Sequence, residues 1–105
     1  MVGKSRKEQI EEMLAVEPDD AELRYFLAME YVSTGQDEEA ARRLSELVRV
    51  RPEYIPGYLQ AGQVLARLGR DPEARDVFRR GIATAEAKGD VHAAGEMAGF
   101  LEGLS

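Results

Sequence analysis

The amino-acid sequence predicts an all-α protein, a solenoid of about six antiparallel helices packed as successive hairpins. Three observations lead to this prediction. The chain repeats with a period of 34 residues, which places Pro18 on Pro52. Apolar residues recur at helical spacing within each repeat, and no segment shows the strict alternation of a strand. With 105 residues, the chain is expected to form one small domain.

The repeat is carried by residues that set turns and helix starts. A shift of 34 residues superimposes identical residues at several positions, among them Pro18 on Pro52, Gly35 on Gly69, Asp37 on Asp71, Glu39 on Glu73 and Ala40 on Ala74. The apolar stripes follow the same shift. The sequence therefore predicts two copies of a helix–turn–helix unit, over residues 19–52 and 53–89.

A separate helix is predicted at each end of these two repeats. Ser5 and Glu8 have the spacing of a capping box, so a first helix is expected over about 6–17, where Pro18 disfavours its continuation. Gly89 marks a stop before a last helix over 90–104. These outer helices correspond to the second half and the first half of a repeat.

Within the repeats, turn residues divide each unit into two helices. Gly35 and Gly69 suit the left-handed position just past the first helix. Asp37 and Asp71 follow them and are expected to cap the second helix. Pro72 fits the first turn of a helix, where its missing N–H has no cost.

These residues resemble the tetratricopeptide repeat, a family of helix–turn–helix units of about 34 residues. In that family, the first helix carries a large residue, an apolar–small pair and an aromatic or apolar residue. The second helix carries alanine, an apolar residue and a small one, and proline ends the unit. The corresponding residues here are Arg24, Leu27, Ala28, Tyr31, Ala40, Leu44, Leu47 and Pro52, then Tyr58, Ala61, Gly62, Leu65, Ala74, Phe78 and Gly81.

Three residues depart from the pattern of this family. Arg24 stands where a large aromatic residue is usual, and Leu47 is bulky where a small residue is usual. Glu86 replaces the closing proline of the second repeat. Without that proline, the second helix of this repeat is expected to continue to Lys88.

Composition excludes several classes of function. The chain has 14 basic and 20 acidic residues and a net charge of −6, which disfavours binding to nucleic acid or anionic membranes. It has no cysteine and one histidine, so neither a metal site nor a cofactor is expected. No serine lies in a nucleophile elbow with His92, which is expected to be exposed, and enzyme activity is not predicted. The polar start of the chain favours a cytoplasmic location.

The family resemblance implies a protein-interaction module whose first helices line a concave groove for a peptide or helix of a partner. The same shift carries the groove positions along the chain: Glu22, Tyr25, Met29 and Val32, then Leu59, Gln63, Ala66 and Arg67, then Ala93, Met97 and Phe100. Each of these residues, taken alone, is equally compatible with a place in the groove and with ordinary packing between helices. Tyr25 and Met29 exclude the basic and amide clamp that binds chaperone C-termini in one branch of the family. Two interpretations of Arg67 and Arg70 stay open: a pair that binds a carboxylate, and a charged face in contact with solvent.

Two alternatives remain open from the sequence. The same apolar surface, or a stripe of Gly95, Gly99 and Gly103, would serve homodimerisation. The stripe equally suits packing on the preceding helix, where Gly81 and Ala85 are also small, or a frayed tail. The second alternative is that the chain is a fragment of a longer repeat array.

Overall fold

The computed structural model describes residues 3–104, and six helices account for most of this range. They are α1 (Arg6–Val16), α2 (Ala21–Ser33), α3 (Asp37–Val50), α4 (Ile55–Arg67), α5 (Asp71–Ala87) and α6 (Val91–Glu102). Each helix packs on the next, and α4 also contacts α6. The hairpins α2–α3 and α4–α5 stack between α1 and α6, which confirms the predicted all-α solenoid. None of the described helices is long and apolar enough to span a bilayer.

The capping box predicted for α1 is present. The Ser5 hydroxyl accepts from the Glu8 amide at 3.1 Å, and the Glu8 carboxylate accepts from the Ser5 amide at 3.2 Å. Two of the N–H groups that a helix start leaves unpaired are therefore satisfied. The helix ends at Val16, since Glu17 already leaves the helical region with φ of −128° before Pro18.

The glycines between the paired helices have the predicted conformation, but the aspartates after them do not cap. Gly35 and Gly69 have φ of 73° and 76°, values that other residues adopt only with strain. The prediction that Asp37 and Asp71 are caps is wrong. They are the first residues of α3 and α5, and the preceding N-cap residue makes no side-chain hydrogen bond in either helix. Their charges still favour the positive end of the helix dipole.

The two repeats place their large and small side chains on different helices. Leu47 is fully buried because Gly57 faces it, and a Cβ on Gly57 would lie 3.4 Å from Leu47 Cδ2. In the second repeat, Gly81 occupies the position of Leu47, and its space is taken by Met97 of α6 and by Tyr58. The unusual leucine in the family pattern is thus matched by a glycine on the neighbouring helix.

Arg24 makes the same hydrogen bond as the aromatic residue that it replaces. Its Nε donates to the carbonyl of Pro18 at 2.8 Å, six residues back along the chain. In the second repeat, the Tyr58 hydroxyl donates to the carbonyl of Pro52 at 2.7 Å over the same separation. Both side chains therefore anchor the turn that precedes their helix, but Tyr58 is buried and Arg24 only partly so.

Candidate functional site

The predicted groove residues of α2 and α4 lie at the surface and rest on the core. Glu22 and Arg67 are exposed, and the other six are half-buried, with the rest of each side chain open to solvent: Tyr25, Met29, Val32, Leu59, Gln63 and Ala66. We call the surface formed by these residues, together with the adjoining surface of α6 that carries Gly95 and Gly99, the groove face. Because these side chains are only partly covered, they can gain further apolar burial by contacting a partner.

Tyr25 is held in place between α2 and α4. Its ring centroid lies 5.7 Å from that of Tyr54 with a 59° tilt, a favourable aromatic geometry. Burial raises the pKa of Tyr25 above its ordinary value, and the polar side chain of Gln60 offsets only part of that effect. The ring is therefore a neutral, fixed wall of the groove face.

Arg67 and Arg70 are already occupied by carboxylates of this chain. Arg67 forms two hydrogen bonds to Asp37, with Nε–Oδ2 of 3.1 Å and Nη2–Oδ1 of 3.2 Å. Arg70 holds Glu73 at 2.8 Å and lies 3.5 Å from Glu38. The pair therefore joins the first turns of α3 and α5 to the end of α4, and a ligand carboxylate would have to displace these contacts.

The register of α6 differs from the one used for the sequence prediction. From Ala21 to Ile55, the starts of α2 and α4 are 34 residues apart, but from Ile55 to Val91 the starts of α4 and α6 are 36 apart. Burial follows the longer spacing. It pairs Ala61 with Met97, both fully buried, whereas a shift of 34 would pair Ala61 with the exposed Gly95.

Met97 therefore does not belong to the groove face, whereas Phe100 lines the same cavity as Gln63, Ala66 and Arg67. Met97 is fully buried, and its thioether fills the space beside Gly81. The ring of Phe100 stacks on Phe78, with centroids 5.8 Å apart and planes 9° apart, and 44% of Phe100 stays exposed. Ala93, the third predicted residue, is half-buried against the core.

Glycines occupy the groove positions of α6. With the spacing of 36 residues, Leu59 corresponds to Gly95 and Gln63 to Gly99. A Cβ on either glycine would meet nothing within 4 Å, so packing on α5, one of the predicted uses of this stripe, is wrong for both. Gln63, Ala66 and Gly99 line one cavity of about 390 Å³ between α4 and α6. The groove face thus continues onto α6 as bare backbone.

The comparison with known families decides the identity of this architecture. A family model described as tetratricopeptide repeat matches residues 3–85. The chain belongs to the tetratricopeptide repeat family. The resemblance noted from the sequence is confirmed. Proteins of this family serve as protein-interaction modules and are typically non-catalytic, so this tetratricopeptide repeat protein is, in general terms, an interaction module.

Several known proteins resemble most of the chain. A TPR repeat-containing protein of Pseudomonas aeruginosa is 37% identical over 97 residues, which cover 92% of each chain. The crystal structure of a tetratricopeptide repeat domain protein from Salinibacter ruber has a TM-score of 0.76 and 30% identity, covering 82% of this chain and 99% of that one. A solution structure from Bordetella parapertussis has a TM-score of 0.80 and 28% identity, covering 95% and 87%.

The sequence contained a signal for the correct register of the last tetratricopeptide helix. Glu86 replaces the closing proline, and α5 accordingly runs to Ala87, 17 residues against 14 in α3. Counting the groove positions forward from Asp90, whose side chain caps α6, gives Gly95 and Gly99 directly. Counting by the repeat period instead missed them.

The end of the tetratricopeptide groove face beside Tyr54 is acidic. Burial raises the pKa of Tyr54, and the charges of Glu22 and Asp20 raise it further. His92 is exposed near the start of α6, as predicted, and its Nε2 lies 3.2 Å from a carboxylate oxygen of Glu96.

Proposed function

We propose that this tetratricopeptide repeat protein is a cytoplasmic adaptor that binds an apolar or amphipathic segment of a partner protein on the groove face. The observation that carries the proposal is the exposure of Gly95 and Gly99. A glycine inside a helix costs about 1 kcal/mol relative to alanine, and neither glycine is needed for contacts within the described chain. Bare backbone at these positions lets a bound segment lie directly against α6.

The groove face changes from bulky to flat between its two ends. The largest side chains, Tyr25 and Met29, lie on α2. Leu59 and Gln63 lie next to them on α4, and Gly95 and Gly99 of α6 lie at the other end, where there are no side chains. Methionine adapts to irregular apolar surfaces, and the partly buried rings supply rigid contact area. The acidic end near Glu22 and the net charge of −6 favour a segment with basic residues flanking its apolar anchors.

Replacing Met29 with glutamate is expected to weaken partner binding at least about 100-fold, since it places an unpaired charge in an apolar interface. Peptides selected from a displayed random library on the wild-type chain serve as the probe. Their affinities for wild type and Met29→Glu are compared by isothermal titration calorimetry. Circular dichroism confirms that the variant keeps its helicity.

Met13→Glu is the matched control, because Met13 is 49% exposed on α1 and lies outside the groove face. Selected peptides should bind this variant like the wild type. Equal binding to the wild type and Met29→Glu would refute the groove assignment. A selection that enriches no peptide would also count against it.

The second candidate function is self-association through the same face. It is supported by the open space around Gly95 and Gly99, which a helix of a second copy would fill. Light scattering at concentrations from micromolar to millimolar separates the two functions. A constant mass near 11.7 kDa is expected if the groove face awaits a different protein, whereas a doubled mass would indicate that a second copy covers it.

A further inference from the structure

A second cavity, of about 220 Å³, lies between α1, α2 and α3 and shares no lining residue with the groove face. Its apolar lining comes from Leu14, Pro18 and Leu27. The other lining residues carry charge, and three of the four are arginines: Arg24, Arg42, Arg43 and Glu46. A cavity with an apolar floor and several cationic groups is unexpected in a chain with a net charge of −6.

The first repeat has arginines at two lining positions where the second repeat has buried side chains. Arg24 corresponds to Tyr58, which is 2% exposed, and Arg43 corresponds to Val77, which is 7% exposed. Tyr58 fills the space beside its helix with a rigid ring. The guanidinium of Arg24 instead reaches the Pro18 carbonyl and leaves part of the equivalent space open.

Arg24 retains donors that residues 3–104 do not use. Its Nε is bonded to Pro18, and it forms no ion pair with any residue between 3 and 104. Arg42 and Arg43, by contrast, share the carboxylate of Glu39, with Arg43 Nε at 2.8 Å from it. These paired guanidiniums still contribute positive potential at the cavity wall.

Glu46 does not neutralise Arg24. Its carboxylate is held by Arg49 at 2.6 Å, and that hydrogen bond is the main reason why the pKa of Glu46 is lowered. The charge of Arg24 is a weaker contributor to the same effect, so the two groups are near each other without forming a pair. The guanidinium of Arg24 therefore remains available to a ligand in the cavity.

We propose that this cavity binds a small carboxylic acid with an apolar or aromatic body. The carboxylate would accept hydrogen bonds from the free Nη groups of Arg24, and the body would lie on Leu14 and Leu27. The volume of 220 Å³ suits such a ligand, since a cavity of about 150 Å³ holds benzene. Two sources share this chemistry: a free aromatic acid, and the C-terminal residue of a polypeptide with an apolar side chain.

Phenylacetate is the probe for the first experiment, an NMR titration of the isotopically labelled full chain at constant ionic strength. We expect saturable shifts of the Leu14 and Leu27 methyl groups and the Arg24 Nε–H, with a dissociation constant of about 1 mM for a ligand of this size. Neutral 2-phenylethanol, which has the same ring, should bind at least about tenfold more weakly. Acetate, which lacks the ring, should also bind more weakly than phenylacetate.

Arg24→Gln is expected to weaken phenylacetate binding about tenfold, since it removes the charged fork but keeps a side chain that can donate to Pro18. Arg24→Tyr restores the residue of the second repeat. It should abolish binding and raise the melting temperature by about 4 °C, because the ring fills the cavity. The matched control is Arg79→Gln, which removes an exposed guanidinium from α5 and should leave the affinity unchanged.

The peptide Ac-Gly-Gly-Phe with a free C-terminus, and the same peptide as an amide, distinguish the two sources. Tighter binding of the free-acid peptide than of phenylacetate assigns the cavity to polypeptide C-termini, and weaker binding assigns it to small acids. Equal binding of phenylacetate and 2-phenylethanol would refute the proposal. So would wild-type affinity in Arg24→Gln, or the absence of saturable shifts in the wild-type chain.

Discussion

Replacing Gly81 with valine is expected to lower the free energy of unfolding by about 3 kcal/mol, a large share of the stability of a small domain. A Cβ at this position would lie 2.6 Å from Cβ of Tyr58 and 2.5 Å from Sδ of Met97. The flexible end of Met97 can move, but Cβ of Tyr58 is fixed to the backbone of α4. The α4–α5–α6 contact must therefore open to admit the new side chain.

Gly95→Ala is the matched control, because this glycine is also inside a helix but has open space around it. This substitution is expected to raise the free energy of unfolding by about 1 kcal/mol through helix propensity alone. Urea unfolding followed by circular dichroism measures both variants. Destabilisation of similar size in the two variants would contradict the assignment of Gly81 to a close contact and of Gly95 to an open surface.

Replacing Ile10 with alanine is expected to release α1 from the stack and to leave the rest folded. Within α1, all of whose residues are described, Ile10 is the one buried side chain, at 4% exposure. Loss of its buried methyl groups costs about 3 kcal/mol. The remaining attachments are weaker: half-buried Leu14, an exposed ion pair of Arg6 with Glu30 at 3.0 Å, and Lys7 above the Tyr31 ring at 5.1 Å.

Hydrogen exchange followed by NMR tests this prediction amide by amide. In Ile10→Ala, exchange in α1 should accelerate about 100-fold, since each 1.4 kcal/mol is a factor of ten, while amides of α4 and α5 keep their protection. Met13→Ala, at a side chain 49% exposed, should change neither region. Uniform loss of protection across all six helices would show that α1 unfolds only with the whole chain.

The fold could be predicted from the sequence because its determinants are local and repeated. Gly35 and Gly69 fix the turns, Pro18 ends α1, and the stripes of apolar residues decide which face of each helix is buried. These signals act within a few residues and need no knowledge of distant contacts. The candidate groove positions Tyr25, Met29, Leu59 and Gln63 came from the family resemblance carried along the 34-residue period, and their use as a binding surface stays a prediction.

The remaining features depend on contacts that periodicity does not determine. Asp37 was expected to cap α3, but it lies within the helix and is bound by Arg67, 30 residues away. The burial of Met97 depends on the space that Gly81 leaves on another helix. The cavity beside Arg24 lies where side chains of α1, α2 and α3 meet, and periodicity along the chain does not locate such a meeting point.

The cap of α6, and not the length of α5, determines which face of α6 belongs to the groove face. Asp90 caps α6, and Gly95 and Gly99 follow it by five and nine residues, just as Tyr25 and Met29 follow Asp20, the cap of α2. The two extra residues between the starts of α4 and α6 lie before this cap, so they change the spacing along the chain without turning α6. Insertions and deletions near the end of α5 that keep Asp90 are therefore expected to leave the same two glycines on the groove face. The length of one helix can vary in evolution independently of the surface that the next helix presents.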